Sequence, residues 1–104
     1  MNKEEYILKM MSMFDFAYED CEELLQLYIV QMKAAFIEID EYIAREDFGS
    51  LASKFHQLKG TSGNLRLTDI SDQMVVAEEA AKESNLSKIK EIINQIKTHE
   101  IFQG

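Results

Sequence analysis

Tyr18–Arg45 reads YEDCEELLQLYIVQMKAAFIEIDEYIAR, with Leu24, Leu25, Tyr28, Met32, Ala35, Phe36, Ile39 and Ile43 recurring at spacings of three and four. A half-buried strand would alternate every second residue, so this period specifies a long amphipathic helix with one apolar face. No breaker interrupts it, and Asp20, Glu22 and Glu23 lie where carboxylates favour the positive end of a helix dipole.

The same period extends to both sides. Residues 3–13 form a short helix through Tyr6, Ile7, Met10 and Met13. Asp47 caps the next helix, whose stripe is Phe48, Leu51, Phe55, Leu58, Ser62 and Leu65. Thr68 or Asp69 caps a further one with Ile70, Met74, Ala77 and Ala81, a surface pair Glu78–Lys82, and an end near Ser84–Asn85. The last starts around Ser87, carries Ile89, Ile92, Ile93 and Ile96, and frays toward His99. There is no proline, and the only glycines are Gly49, Gly60, Gly63 and Gly104, too little turn punctuation for a many-stranded sheet. The expected fold is all-α: an antiparallel up-and-down four-helix bundle with the short N-terminal helix as a lid across one end, in one domain over residues 1–104.

Composition narrows the function classes. With 46% hydrophobic and 29% charged residues in 104, the chain builds a core. A formal charge of −8 opposes nucleic acid and anionic membranes, both bound chiefly through Lys and Arg. Cys21 is the only cysteine, which excludes an internal disulfide and a multi-cysteine zinc site and suits the cytoplasm. The opening MNKEEYILKMMSMF lacks the apolar run of a signal peptide, and no stretch approaches a membrane span. Met10, Met11 and Met13 read as core filling in preference to an adaptable binding surface. The final FQG resembles a cleavage remnant and is given no function.

The chemistry concentrates in His56-Gln57-Leu58-Lys59-Gly60-Thr61-Ser62-Gly63-Asn64-Leu65. At about 100° per residue from His56, Lys59 falls near 300°, Gly60 near 40° and Gly63 near 340°, while Leu51, Phe55, Leu58 and Leu65 cluster between about 180° and 260°. His56 therefore points away from the core. Each mid-helix glycine costs about 0.5–1 kcal/mol relative to alanine, so two beside one exposed histidine call for a reason, and an absent side chain is room for something to approach. A neutral imidazole nitrogen is a competent nucleophile, and Lys59 is placed to offset the charge of a phosphoryl group.

This segment resembles the signature of histidine-phosphotransfer domains of multistep two-component phosphorelays, in which a phosphorylatable histidine is followed by a hydrophobic residue, Lys-Gly, small residues and Asn-Leu on one helix of a four-helix bundle. His56, Leu58, Lys59, Gly60, Thr61, Ser62, Gly63, Asn64 and Leu65 all match. The Asp47-Phe48 link and the Ala-Glu-Glu-Ala-Ala run from Ala77 also have the family's look. One departure is Arg66, where the family commonly has glycine, followed by Leu67 where a small residue is frequent. On the wheel Arg66 borders the histidine face at about 280° and adds a second cation there.

The resemblance implies a carrier. His56 takes a phosphoryl group from a receiver-domain aspartate and passes it to another receiver, assisted by Lys59, with Gln57, Gly60, Gly63 and Arg66 forming the docking surface. The implied partners are response-regulator receiver domains and a sensor or hybrid histidine kinase. The carrier is a monomer without cofactor, and any magnesium sits on the receiver. No Gly-rich nucleotide loop supports autonomous kinase activity. A rival from another class is a non-catalytic helical adaptor that binds receivers or partner helices. His99 reads as structural or solvated, a His56–His99 metal site is disfavoured by the wheel, and Glu78, Glu79 and Glu83 read as a solvated face.

Overall fold

A computed structural model describes residues 2–103. Five helices follow in order: α1 Lys3–Phe14, α2 Tyr18–Ala44, α3 Phe48–Asn64, α4 Thr68–Lys82 and α5 Leu86–Lys97, then a 3₁₀ turn at Glu100–Phe102. No strand occurs among the described residues. The molecule measures 42 × 23 × 18 Å, and α2, at about 1.5 Å per residue, spans nearly the whole long dimension. Three-residue links join α2 to α3, α3 to α4 and α4 to α5, so neighbours run antiparallel, and α2 packs against both α3 and α5 to close the bundle. α1 leans on α2 and covers the end where α4 begins and α5 finishes, its Tyr6 hydroxyl reaching Asp69 and His99.

Local chemistry sets the helix boundaries. Asn2, Asp47 and Asn85 cap α1, α3 and α5, their side-chain oxygens accepting from the backbone N–H of Glu5, Ser50 and Lys88. α2, α3 and α4 all end with a left-handed residue, Glu46, Arg66 and Ser84, at φ 51°, 62° and 56°. In each, the next N–H reaches back five residues: Asp47 to the Tyr42 carbonyl, Leu67 to Ser62 and Asn85 to Ala80.

Several sequence expectations need correction here. Neither Thr68 nor Asp69 caps α4. The N-cap is the buried Leu67, with no side-chain hydrogen bond. α5 starts at Leu86, one residue before Ser87, because Asn85 caps it. His99 lies beyond the end of α5, and its Nδ1 accepts from the Ile101 N–H to cap the 3₁₀ turn. The methionine cluster divides: Met10 is buried, Met11 is half-buried and Met13 is exposed. Phe102, in the stretch that resembles a cleavage remnant, is a core residue edge-on to Phe36 at 5.2 Å. Gly104 lies outside the described residues.

The core runs the length of the bundle through Leu25, Met32, Ile39, Leu51, Phe55, Ile70, Met74, Ile89 and Ile96, all 2% exposed or less. Burying such side chains contributes about 1.5–3 kcal/mol each. Two features position the chemical face. The Tyr28 hydroxyl pairs with buried Ser62 at 2.7 Å, tying α2 to the back of α3, and burial pushes the Tyr28 phenol up to about 12 despite that bond. On the other side of α3, buried Ala77, Ala80 and Ala81 give α4 a smooth face that permits close approach.

Candidate functional site

His56 sits midway along α3 with Phe55 and Leu58 anchored in the core on either side. Its imidazole is 67% exposed, in keeping with the outward orientation expected from the period. Nδ1 lies 3.2 Å from Oε1 of Glu78 on α4. The Glu78 side chain is only 12% exposed. Burial opposes its ionisation, but hydrogen bonds from Lys82 and His56 prevail and hold it below the usual carboxylate range. An ionised carboxylate only accepts, so Nδ1 must donate, and the neutral ring then carries its lone pair on Nε2.

Two cations share Glu78. Lys82 Nζ lies 3.2 Å from Oε2, one turn along α4, and Lys59 Nζ lies 3.7 Å from Oε1 across the α3–α4 groove. The expectation that Glu78 belongs to a solvated face is therefore wrong. It was hidden because the wheel of a single helix does not show which neighbouring helix reaches over. The signal that points to it is the alanine face of α4 beside it, which marks the place where two backbones approach. The Glu78–Lys82 pair read from spacing is present, with Lys82 exposed.

The glycines separate. A side chain at Gly60 would meet nothing within 4 Å, so this position opens directly to solvent beside the imidazole. Gly63 is turned to α4 instead: a Cβ there would lie 3.4 Å from Ser71 Oγ, which donates to the Lys59 carbonyl at 3.1 Å. It serves the approach of α4 and does not extend the open strip. Gln57 is exposed on α3, its carbonyl accepting from Thr61 Oγ. Arg66 is off the wheel altogether, because α3 stops at Asn64 and Arg66 occupies the left-handed turn beyond it. The end of α3 at Asn64 is itself about 12 Å along the axis from His56, and Arg66 lies beyond it.

The family model of the Hpt domain matches residues 23–99 of this chain. The chain belongs to the Hpt domain family. The stretch that identifies it as an Hpt domain takes in α3, α4 and α5 and most of α2, and leaves α1 outside. This Hpt domain is also similar to the phosphorelay intermediate protein YPD1 of Candida albicans, 36% identical over 52 residues. That match covers half of this chain and 28% of the yeast protein. No solved structure matches.

His99 makes its own cluster at the lidded end. Nδ1 takes the Ile101 N–H, so Nε2 carries the proton and donates to Asp69 at 2.7 Å. The Tyr6 hydroxyl donates to the same oxygen at 2.7 Å. Burial first, and then the bond to Asp69, push the Tyr6 phenol well above its ordinary value. His56 and His99 are engaged with different carboxylates on α4, so they do not meet.

Proposed function

We propose that this domain is a phosphoryl carrier of a phosphorelay, with His56 as the residue that holds the phosphoryl group. The observation that carries the reading is the exposed imidazole itself, its Nδ1 occupied by Glu78, its Nε2 without a partner among the described residues, and open space over Gly60. In the transfer, the Nε2 lone pair attacks the phosphorus of a receiver's aspartyl phosphate. An N–P bond forms, the P–O bond breaks, and its electron pair leaves with the aspartate carboxylate. Onward transfer reverses these roles on a second receiver. Lys59, half-buried and one turn from His56, supplies positive charge for the phosphoryl oxygens.

The docking surface follows from the same geometry. Gly60 and Gln57 lead from His56 across α3 to a groove lined by Gln31, Ala34, Gln57 and Thr61, and beyond it Leu27, Val30 and Ile37 on α2 are each more than half exposed. A receiver domain seated over Gly60 would cover this apolar strip. Arg66 stands at the far end of α3, as a rim contact at most. Response-regulator receivers and a sensor or hybrid kinase are the partners this reading requires. The domain itself carries phosphate without generating it from ATP, works in the cytoplasm as a monomer, and leaves any magnesium to the receiver's acidic pocket.

The test is transfer of labelled phosphate from a phosphorylated receiver. The label should appear on the domain, be lost in acid and persist in alkali, as a phosphoramidate requires. An unlabelled domain that still binds receivers would make it an adaptor, and acid-stable label would move the site to a hydroxyl side chain.

A further inference from the structure

α1 and α2 enclose a groove that phosphotransfer does not use. It is a cavity of about 480 Å³, and its apolar floor is Ile7 of α1 with Leu25 and Ile29 of α2, each 4% exposed or less. Its rim is acidic: Glu4, Glu19, Glu22 and Glu23 line it against one cation, Lys3. Leu8, 52% exposed, stands one turn after Glu4 and extends the apolar surface along the same face of α1. At about 100° per residue from Leu25, Glu22, Gln26 and Ile29 fall between about 40° and 100°, whereas Gln31 and Ala34, in the groove beside α3, fall near 240° and 180°. The two grooves therefore lie on different faces of α2.

The domain's own needs account for only part of this charge. Stabilisation by the helix dipole is confined to the first turn, so it covers Glu19 and leaves Glu22 and Glu23 unexplained. Glu4 is engaged by Tyr18, whose hydroxyl donates to it at 2.9 Å. Among the described residues no Lys, Arg or His forms an ion pair with Glu19, Glu22 or Glu23. The Tyr18 phenol is pushed above its ordinary value, first by the bond to Glu4, then by burial and by the charges of Glu4, Glu22 and Glu19. From Tyr18 to Ile29 the groove follows α2 for about 16 Å, some three turns, which suits a length of chain better than a single small cation. We propose that the α1–α2 groove is a second docking surface, for a basic amphipathic segment of a partner protein that lays apolar side chains over Ile7, Leu25 and Ile29 and sets Lys or Arg against Glu19, Glu22 and Glu23. The floor supplies burial, and the rim supplies orientation and a faster encounter. A domain held there keeps His56 open to receivers. α1 lies outside the residues that the family model matches, so this groove is a feature of the chain and not of the matched stretch.

The experiment uses the full chain and a synthetic helical peptide of about 16 residues, with Leu on one face and Lys on the other, beside a Leu-Glu counterpart. Salt is held at about 150 mM to screen long-range attraction. Fluorescence anisotropy should give a Kd on the order of 10 µM for the Leu-Lys peptide and no binding for the Leu-Glu one. Amide NMR signals of Ile7, Glu22 and Gln26 should shift, while those of Gln57 and Thr61 stay in place. The combined variant Glu19→Gln, Glu22→Gln, Glu23→Gln should keep its helical circular dichroism and bind about tenfold more weakly. Glu79→Gln, Glu83→Gln, Glu91→Gln removes the same charge from exposed positions on α4, α5 and the link between them, and should change binding less than about twofold. Equal weakening by the two triple variants would reduce the effect to attraction by the overall charge of −8 and overturn the proposal. So would absence of binding at about 1 mM peptide, shifts centred on Gln57, or equally effective competition by spermidine, which would make the groove a small-cation site. None of these outcomes bears on His56, so the carrier reading stands or falls separately.

Discussion

A residue is defined here by what lies above it as much as by what it touches. Among the described residues Gly60 has no neighbour within 4 Å of its would-be Cβ, so replacing it meets no steric objection from them. Gly60→Gln should leave stability equal or raise it by about 0.5 kcal/mol through helix propensity. Transfer should fall by about 100-fold, because a displacement of about 1 Å is enough to spoil in-line approach. Thermal unfolding and transfer rates on one preparation check this, and a destabilised variant with normal transfer would make Gly60 a packing residue. Arg66 is the reverse case. Its left-handed φ of 62° explains in physical terms why glycine suits the position. Arg66→Gly should add about 1 kcal/mol of stability, read as a Tm several degrees higher. Unchanged or lower stability would contradict that account. The outward turn of His56 and the openness at Gly60 were legible from the period of one helix alone. Glu78 was not, since its role depends on which residues α4 presents across the groove.

Helices are held in register by side chains whose partners lie far away in sequence, and this is where reading element by element loses information. Asp69 looked like a cap for α4. It instead joins α1, α4 and the C-terminal turn through Tyr6 and His99. Burial opposes its ionisation, but the bonds from His99, Tyr6 and the Ile70 N–H hold its carboxyl below the ordinary value. A carboxyl that ionises more readily in the folded state contributes stability that is complete above the usual carboxylate range and is lost as pH falls through the depressed value. Asp69→Asn should therefore cost about 1 kcal/mol at neutral pH, discounted for partial exposure, with the difference from wild type shrinking in acid. Urea unfolding at neutral pH and near pH 3 measures it. An equal difference at both would show that the charge is irrelevant. Four of the five helix extents came within two residues of those read from the period and the fifth, α4, within about three, because buried stripes and Asx caps are local signals. The 3₁₀ turn and its capping by His99 were not local, and the period had only fraying to offer there.

For the whole molecule, the all-α bundle follows from four apolar stripes that only mutual packing can bury, which is why the fold was accessible before any contact was known. The outer face is a different matter: Leu27, Val30 and Ile37 are exposed on α2, each about one helical turn from Gln31 or Ala34, which line a groove together with Gln57 and Thr61 of α3. Val30→Glu should preserve the helical fold and slow transfer about tenfold at low receiver concentration, the equivalent of about 1.4 kcal/mol of docking energy. Equal rates at every receiver concentration would remove this strip from the interface. The central claim, that one exposed imidazole carries the phosphoryl group, is tested most directly with His56→Gln. This variant should fold as the wild type does, since an exposed side chain contributes little to stability. It should accept no label from a phosphorylated receiver. Labelling of a folded His56→Gln domain at the wild-type level would contradict the account.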